Sequence, residues 1–278
     1  MIDTYLNSFD WAASTRDRYA AILRDFLVTF PDPALIGPSD VLAWLKAHQW
    51  GPSSRALALS VVKGFLSWRF GALHPAMPTR VKRVKSPTQR SLNIDQVFKL
   101  LASFDTSKPK GRRDLSMAAL FLDAGLRVSE LARLDLRYVD LTLCSLQVIV
   151  KGGNWESGVF SEYTANFLAS WLADRAQIVQ PGVQAVFVST HRDAGSQMGR
   201  GSIGRIIAGC AEAAGVERLS PHDLRRTFAT ISTQFGAPSR ILQTAGRWKS
   251  PEMIERYTPA ISQSDFRRFF PVAGVLDD

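Results

Sequence analysis

An imidazole, a guanidinium and a phenol lie in two short blocks near the end of this 278-residue sequence. His222 and Arg225 sit in Ser220-Pro221-His222-Asp223-Leu224-Arg225-Arg226, and Tyr257 sits in Ser250-Pro251-Glu252-Met253-Ile254-Glu255-Arg256-Tyr257-Thr258. A cation that stays charged, a group that titrates near neutrality and a phenol form a set suited to phosphate chemistry. Their positioning is legible locally. Serine followed by proline starts a helix, an N-cap and then a proline at the first helical position. His222 and Arg225 then stand three residues apart on one helix face. Ser250-Pro251 repeats the device, which puts Tyr257 near the end of a second short helix, on an apolar face with Met253 and Ile254.

Two upstream blocks could complete the set. In Asp123-Ala124-Gly125-Leu126-Arg127-Val128-Ser129-Glu130-Leu131, Gly125 is expected to end one helix and leave Arg127 at the corner before the next. Glu130, three residues on, could hold that guanidinium by a bidentate pair. Lys151 follows 24 residues after Arg127, at the turn of an expected hairpin. Taken singly, each has an ordinary structural reading: a helix ion pair, a solvated turn lysine, an apolar-face tyrosine.

The elements that must carry these residues fall into two parts, as 278 residues allow. Periodicity predicts a helix from Ser14-Thr15 to Phe30, a short one capped by Ser39, and a third from about Ser54 to Phe70, a small bundle. A Pro-containing basic stretch without an acid follows, carrying Arg80, Lys82, Arg83, Lys85 and Arg90. It reads as a solvated linker that could also lie along a phosphate backbone. Beyond it, helices are expected near 93–103, 112–124, 128–134, 162–177, 201–214, 221–234, 238–245 and 250–258. Ser145–Val150 and Gly158–Phe160 flank Lys151-Gly152-Gly153-Asn154 as a β-hairpin. The expected fold class is mainly α with a small β-sheet.

Composition bounds the rest. Hydrophobic residues make up 46% and charged residues 21%, an ordinary globular balance. No apolar run approaches a membrane span, and no signal-like segment opens the chain. Cys144 and Cys210 fit no metal or redox spacing and read as buried thiols of a reducing compartment. The four histidines are scattered and propose no metal site. The net charge of +9 points to a polyanionic partner. Residues 1–80 carry 8 Lys/Arg against 6 Asp, so most of the excess lies downstream.

The joint order of Arg127, hairpin Lys151, His222-x-x-Arg225 and a late Tyr257 resembles the tyrosine recombinase (phage integrase) family. Gly-Leu-Arg-Val-Ser-Glu-Leu and the run LSPHDLRRTFAT from Leu219 to Thr230 carry the likeness, which extends over nearly the whole chain. The resemblance implies a helical, SAM-like core-binding domain over 1–78, a basic linker over 79–91 and an α+β catalytic domain over 92–278 with a C-terminal tail helix. It implies a site-specific recombinase working without metal, ATP or any other cofactor. Tyr257 attacks a DNA phosphodiester to give a 3′-phosphotyrosyl bond and a free 5′-hydroxyl. Arg127 and Arg225 neutralise the non-bridging oxygens, Lys151 protonates the leaving oxygen, and His222 assists proton transfer and binds the phosphate. Strand exchange then proceeds through a Holliday junction in a homo-tetramer on double-stranded DNA.

Some positions depart from the family pattern. Trp248 stands nine residues before Tyr257, where many members have a histidine. Its indole could donate to phosphate or buttress the tyrosine helix, or it is a core tryptophan; Arg247 is an alternative phosphate contact. The hairpin continues Asn154-Trp155-Glu156-Ser157 without further basic residues, and Arg226 replaces a common histidine. The apolar tail with Phe266, Phe269, Phe270 and Val272 either docks into a neighbouring subunit or folds back on its own domain. The implied setting is the cytoplasm, in association with the nucleoid, of a prokaryote or of its phages and mobile elements. Integration, excision or resolution of a mobile element is the expected role. Xer-type resolution of replicon dimers, a silent DNA-binding accessory protein and a relaxing topoisomerase are the alternatives.

Overall fold

Prolines and glycines divide the first part of the chain into four helices in the computed structural model, which describes residues 1–82, 90–150, 152–191, 193–248, 250 and 252. These are α1 (Ile2–Asn7), α2 (Ala13–Thr29), α3 (Pro38–Ala47) and α4 (Pro52–Phe70). Helix α3 opens at Pro38 rather than at a Ser39 cap, because the Asp40 carboxylate accepts the Gly37 N–H at 2.7 Å and satisfies the first turn from within. The short α1 lacked a periodic signal in the sequence. It is held by Tyr5, buried among Trp11, Phe65 and Trp68. Leu23, Phe26, Val41, Val62, Phe65 and Leu66 form the core of this unit. The expected linker begins inside it: Thr79 is buried, and its hydroxyl donates to the Ala76 carbonyl at 2.7 Å. His74 is a structural tie. Its Nδ1 accepts the Ala76 N–H, so Nε2 donates to the Pro33 carbonyl at 2.9 Å.

The chain divides into two compact units, Met1–Pro87 and Thr88–Asp278. The second contains α5 (Ile94–Ala102), α6 (Pro109–Asp123), α7 (Val128–Leu131), a three-stranded sheet, α8 (Glu162–Ile178), α9 (Arg200–Ala208), α10 (Pro221–Gln234) and α11 (Ser239–Gly246). Helix α6 is buried almost all round, packs most extensively on α8 and also meets α10. Met117, Leu120 and Phe121 of α6 join Leu168 and Trp171 of α8 and Ile203 and Leu224 in one core. The sheet is antiparallel in the order β1 (Val139–Asp140), β2 (Ser145–Ile149), β3 (Trp155–Val159), with Ile149 opposite Trp155.

Several boundaries differ from expectation for local reasons. Strand β3 starts at Trp155, not Gly158, because the hairpin closes tightly: Val150 donates to Asn154 at 2.9 Å and Gly153 to Val150 at 3.1 Å. Helix α7 stops at Leu131, and Arg133 and Leu134 bond three residues back instead of four. Helix α9 ends at Ala208, and turns then run to Gly215, whose φ is +67°. Cys144 and Cys210 are free thiols and half-buried rather than fully so.

Candidate active site

The carbonyl ends of α6 and α11 assemble the site. The last carbonyls of a helix have no partner within it and carry the negative end of its dipole, so they attract cations. Helix α6 ends at Asp123, and Gly125 takes φ +56°, as the sequence anticipated. Two guanidiniums cover the freed carbonyls. Arg225 Nη1 donates to Gly125, and Arg247 Nη2 donates to Ala124 at 2.8 Å and Gly125 at 3.3 Å.

The end of α11 does the same from the other side. Ala245 accepts from Arg247 Nη1 at 2.9 Å, Gly246 accepts from Arg225 Nη2, and the Arg247 carbonyl accepts from Arg127 Nη2 at 2.9 Å. Three consecutive carbonyls thus aim three arginines. A guanidinium with donors in a fixed plane is well suited to this, since backbone acceptors set both its position and its orientation.

Glu130 holds Arg127 differently from the expected bidentate pair. Oε1 accepts from Arg127 Nη1 at 2.6 Å, while Oε2 accepts the backbone N–H of Arg127 at 2.9 Å. The carboxylate caps the start of α7 and fixes the side chain in one gesture, and it is buried. Oε2 also lies 3.5 Å from Arg247 Nη2. The Arg127 side chain keeps 34% of its surface exposed, so a face of it remains open to a ligand.

Arg225 is buried on α10, with its guanidinium carbon 4.4 Å from the centre of the Trp248 ring. Trp248 itself is buried, stacks on Phe228 at 6.1 Å between centroids, and shares a small core with Ala229 and Leu242. It is a core tryptophan and a buttress of Arg225 at once. Ser220 caps α10 as anticipated, its hydroxyl accepting the Asp223 N–H at 3.3 Å and donating to the Asp223 carboxylate at 2.6 Å. His222, in the first turn, is exposed. Partial desolvation holds its pKa below the ordinary 6.5, with the charges of Arg226, Arg225 and Arg127 acting the same way and Asp223 opposing. Arg226 is half-buried and pairs with Asp223 at 3.4 Å.

Arg247 does not present its charge to solvent. Its side chain is wholly buried among the carbonyls of Ala124, Gly125 and Ala245 and the Glu130 carboxylate. Nothing local signalled this, because its partners at Ala124, Gly125 and Glu130 lie more than a hundred residues away. Asp123 was also missed as a support: its carboxylate accepts the Ser161 N–H at 3.0 Å and the Thr164 hydroxyl at 2.6 Å, tying the start of α8 to the end of α6.

Lys151 and Tyr257 lie outside the described residues, as do Arg83, Lys85, most of the expected 250–258 helix and the C-terminal tail. Arg80 and Lys82 are exposed, and Arg80 Nη1 donates to the Met77 and Thr79 carbonyls at 3.0 and 2.9 Å. Among the described residues no cluster of ligands could hold a metal ion, and no helix is long and apolar enough to cross a membrane. Clefts of about 570 and 670 Å³ lie around Lys108, Lys110 and Arg205, toward the opposite end of α6 from this cluster.

The phage integrase family model matches residues 90–263. Tyrosine recombinase XerD of Pseudomonas putida is 31% identical over 227 residues, covering 80% of this chain and 76% of the relative. Tyrosine recombinase XerC of Vibrio parahaemolyticus is 32% identical over 183 residues, covering 64% and 58%. Among solved structures, the Tn1549 transposon integrase with a circular intermediate DNA superposes with a TM-score of 0.74 at 14% identity, over 97% of this chain and 98% of that one. The XerH site-specific recombinase bound to its palindromic difH substrate gives 0.71 at 17%, over 95% and 80%. The matched segment contains every residue of the arginine cluster, and the chain belongs to the phage integrase family.

Proposed function

We propose that this protein is a site-specific DNA recombinase that cleaves and rejoins strands through a 3′-phosphotyrosyl intermediate. One observation carries the reading: Arg127 and Arg225 donate to consecutive carbonyls, Arg247 and Gly246, ten and eleven residues before Tyr257. Two permanent cations are thereby fixed at backbone carbonyls close to Tyr257 in sequence. In the reaction the Tyr257 oxygen loses its proton and bonds to phosphorus, and the bond from phosphorus to the 5′-oxygen breaks. That oxygen takes a proton from Lys151. Arg127 and Arg225 offset the charge that gathers on the non-bridging oxygens. His222, held neutral, is suited to accept a proton. Reversal by another strand's 5′-hydroxyl reseals the backbone without ATP.

The same reading takes 1–78 as the core-binding domain, 79–91 as the linker and 92–278 as the catalytic domain. Arg80, Lys82, Arg83, Lys85 and Arg226 supply phosphate contacts, which makes binding salt-sensitive. Four copies act on two duplexes, linked by the tail beyond Tyr257, and deletion of residues 262–278 then weakens synapsis. The protein's role on this reading is integration, excision or resolution of a mobile element. The XerC and XerD names of the relatives favour a second reading, Xer-type resolution.

The test uses a nicked suicide duplex carrying the site recovered by sequencing DNA bound to the protein. Wild type should form a covalent adduct and Tyr257→Phe none. An adduct in both, or in neither, overturns the reading, and in the second case favours a binding-only protein.

A further inference from the structure

The end of α11 places an arginine at the left-handed C-cap position and buries its side chain. Arg247 takes φ +55° and ψ +46°, the left-handed region where glycine is the usual residue. Its side chain is fully buried, its Nε has no hydrogen-bond partner among the described residues, and burial pushes its pKa down, with Glu130 opposing. A strained backbone and an incompletely satisfied buried charge persist where something else depends on them. Here the dependent group is Arg127. The Arg247 carbonyl orients the Arg127 guanidinium, and the Arg247 side chain shares Glu130 with it.

We propose that Arg247 is a positioning residue for Arg127: its buried charge balances Glu130, so that Arg127 keeps its own positive charge for the phosphate. Without Arg247, the Glu130 carboxylate at 2.6 Å neutralises Arg127 and the pocket loses one unit of positive charge. With it, the trio of Arg127, Glu130 and Arg247 remains cationic, while Glu130 still fixes the geometry. The charge of Glu156 on β3 also favours a cation at Arg247. This inference rests on the recombinase reading and deepens it.

The discriminating experiment is a charge-compensation cycle, read as the single-turnover rate of adduct formation on the nicked duplex at saturating enzyme. Arg247→Met should slow cleavage about 100-fold, the loss typical when one transition-state charge partner is removed, with DNA affinity falling much less. Glu130→Gln combined with Arg247→Met removes both charges and restores the balance, so the double variant should be at least about tenfold faster than Arg247→Met alone. A purely structural role predicts the reverse, since two lost supports are no better than one. A double variant no faster than Arg247→Met, or Arg247→Met within about threefold of wild type, overturns the proposal. If Arg247→Met fails to fold by circular dichroism, Arg247→Lys carries the test. It keeps the charge and should stay within about tenfold of wild type, and a folded Arg247→Lys slowed 100-fold would sink the charge argument. Wild-type adduct is the control: its absence removes the recombinase reading and this inference together, whereas adduct with the wrong variant pattern removes this inference alone.

Discussion

Gly125→Ala should both destabilise the catalytic unit and disorder its arginines. Two penalties act at this position. Gly125 has φ +56°, and an L-residue there loses about 1–2 kcal/mol. A Cβ at this site would also lie 2.4 Å from Cδ1 and 2.7 Å from Cε1 of Phe228, a buried ring that supports Trp248. Overpacking of this kind costs about 1–3 kcal/mol. The lower entropy of the unfolded chain returns about 0.4–1 kcal/mol. The net loss is about 3 kcal/mol, which for a unit of this size lowers the melting temperature by roughly 6–12 °C. Cleavage should fall as well, since the Gly125 carbonyl accepts from both Arg225 and Arg247. Thermal unfolding of four proteins measures the two parts separately: wild type, Gly125→Ala, Phe228→Ala and the double variant. Phe228→Ala alone costs about 3–5 kcal/mol. In that background the steric part vanishes, so Gly125→Ala should then cost only about 1 kcal/mol. A melting temperature for Gly125→Ala within a degree of wild type, or equal losses in both backgrounds, would refute the reasoning.

Trp248→Phe should retain partial cleavage, because a ring still faces Arg225, whereas Trp248→Ala should lose about 3–5 kcal/mol of stability and more activity; equal activity in all three forms counts against the buttress. Gly246→Ala should resemble Trp248→Ala, since its Cβ would lie 1.6 Å from Trp248 Cζ3 and the ring must leave. His222 has its pKa lowered in the folded protein, so between 6.5 and that lower value the unfolded chain binds more protons than the native one. Stability therefore declines as pH falls through this window and gains nothing from His222 above it. A phosphate arriving beside the ring favours the protonated form, so DNA binding near pH 6 should take up a proton. Calorimetry in two buffers of different ionisation enthalpy should show this uptake in wild type and not in His222→Asn, and a buffer-independent wild type rejects phosphate contact by His222.

The parts legible in the sequence are those whose cause is local. Ser220-Pro221 starts α10 where expected because an N-cap needs only its own next three residues. Gly125 ends α6 because a left-handed residue is a short-range requirement. Long periodic helices such as α4 and α8 were visible for the same reason. The hairpin turn was legible too, but not the length of β3, because Trp155 and Glu156 extend it through pairing with Val148 and Ile149 rather than through any signal of their own. Arg247 was the least legible. A buried left-handed arginine contradicts propensity and pattern together, and it is explained only by acceptors that the fold brings from the far end of α6. Glu130 lay between these cases: its spacing from Arg127 announced a contact, but the split between guanidinium and backbone N–H depends on the turn that leads into α7.

Helix polarity explains why the charged groups occupy the places they do. The arginines converge on the carbonyl ends of α6 and α11, where a cation is stabilised by about 0.3–1 kcal/mol, and by up to about 2 when partly buried. His222 occupies the opposite pole, the first turn of α10, where the dipole disfavours a positive charge. The same field that attracts guanidiniums to two helix ends thus disfavours a charged imidazole at a third. A lysine in place of Arg225 would keep one positive charge but could not span the carbonyls of Gly125 and Gly246, which belong to different helix ends. The guanidinium fork is what joins the two termini. With that frame built by backbone acceptors, little reorganisation is needed when phosphate arrives, which is the condition under which fixed charges lower a barrier most.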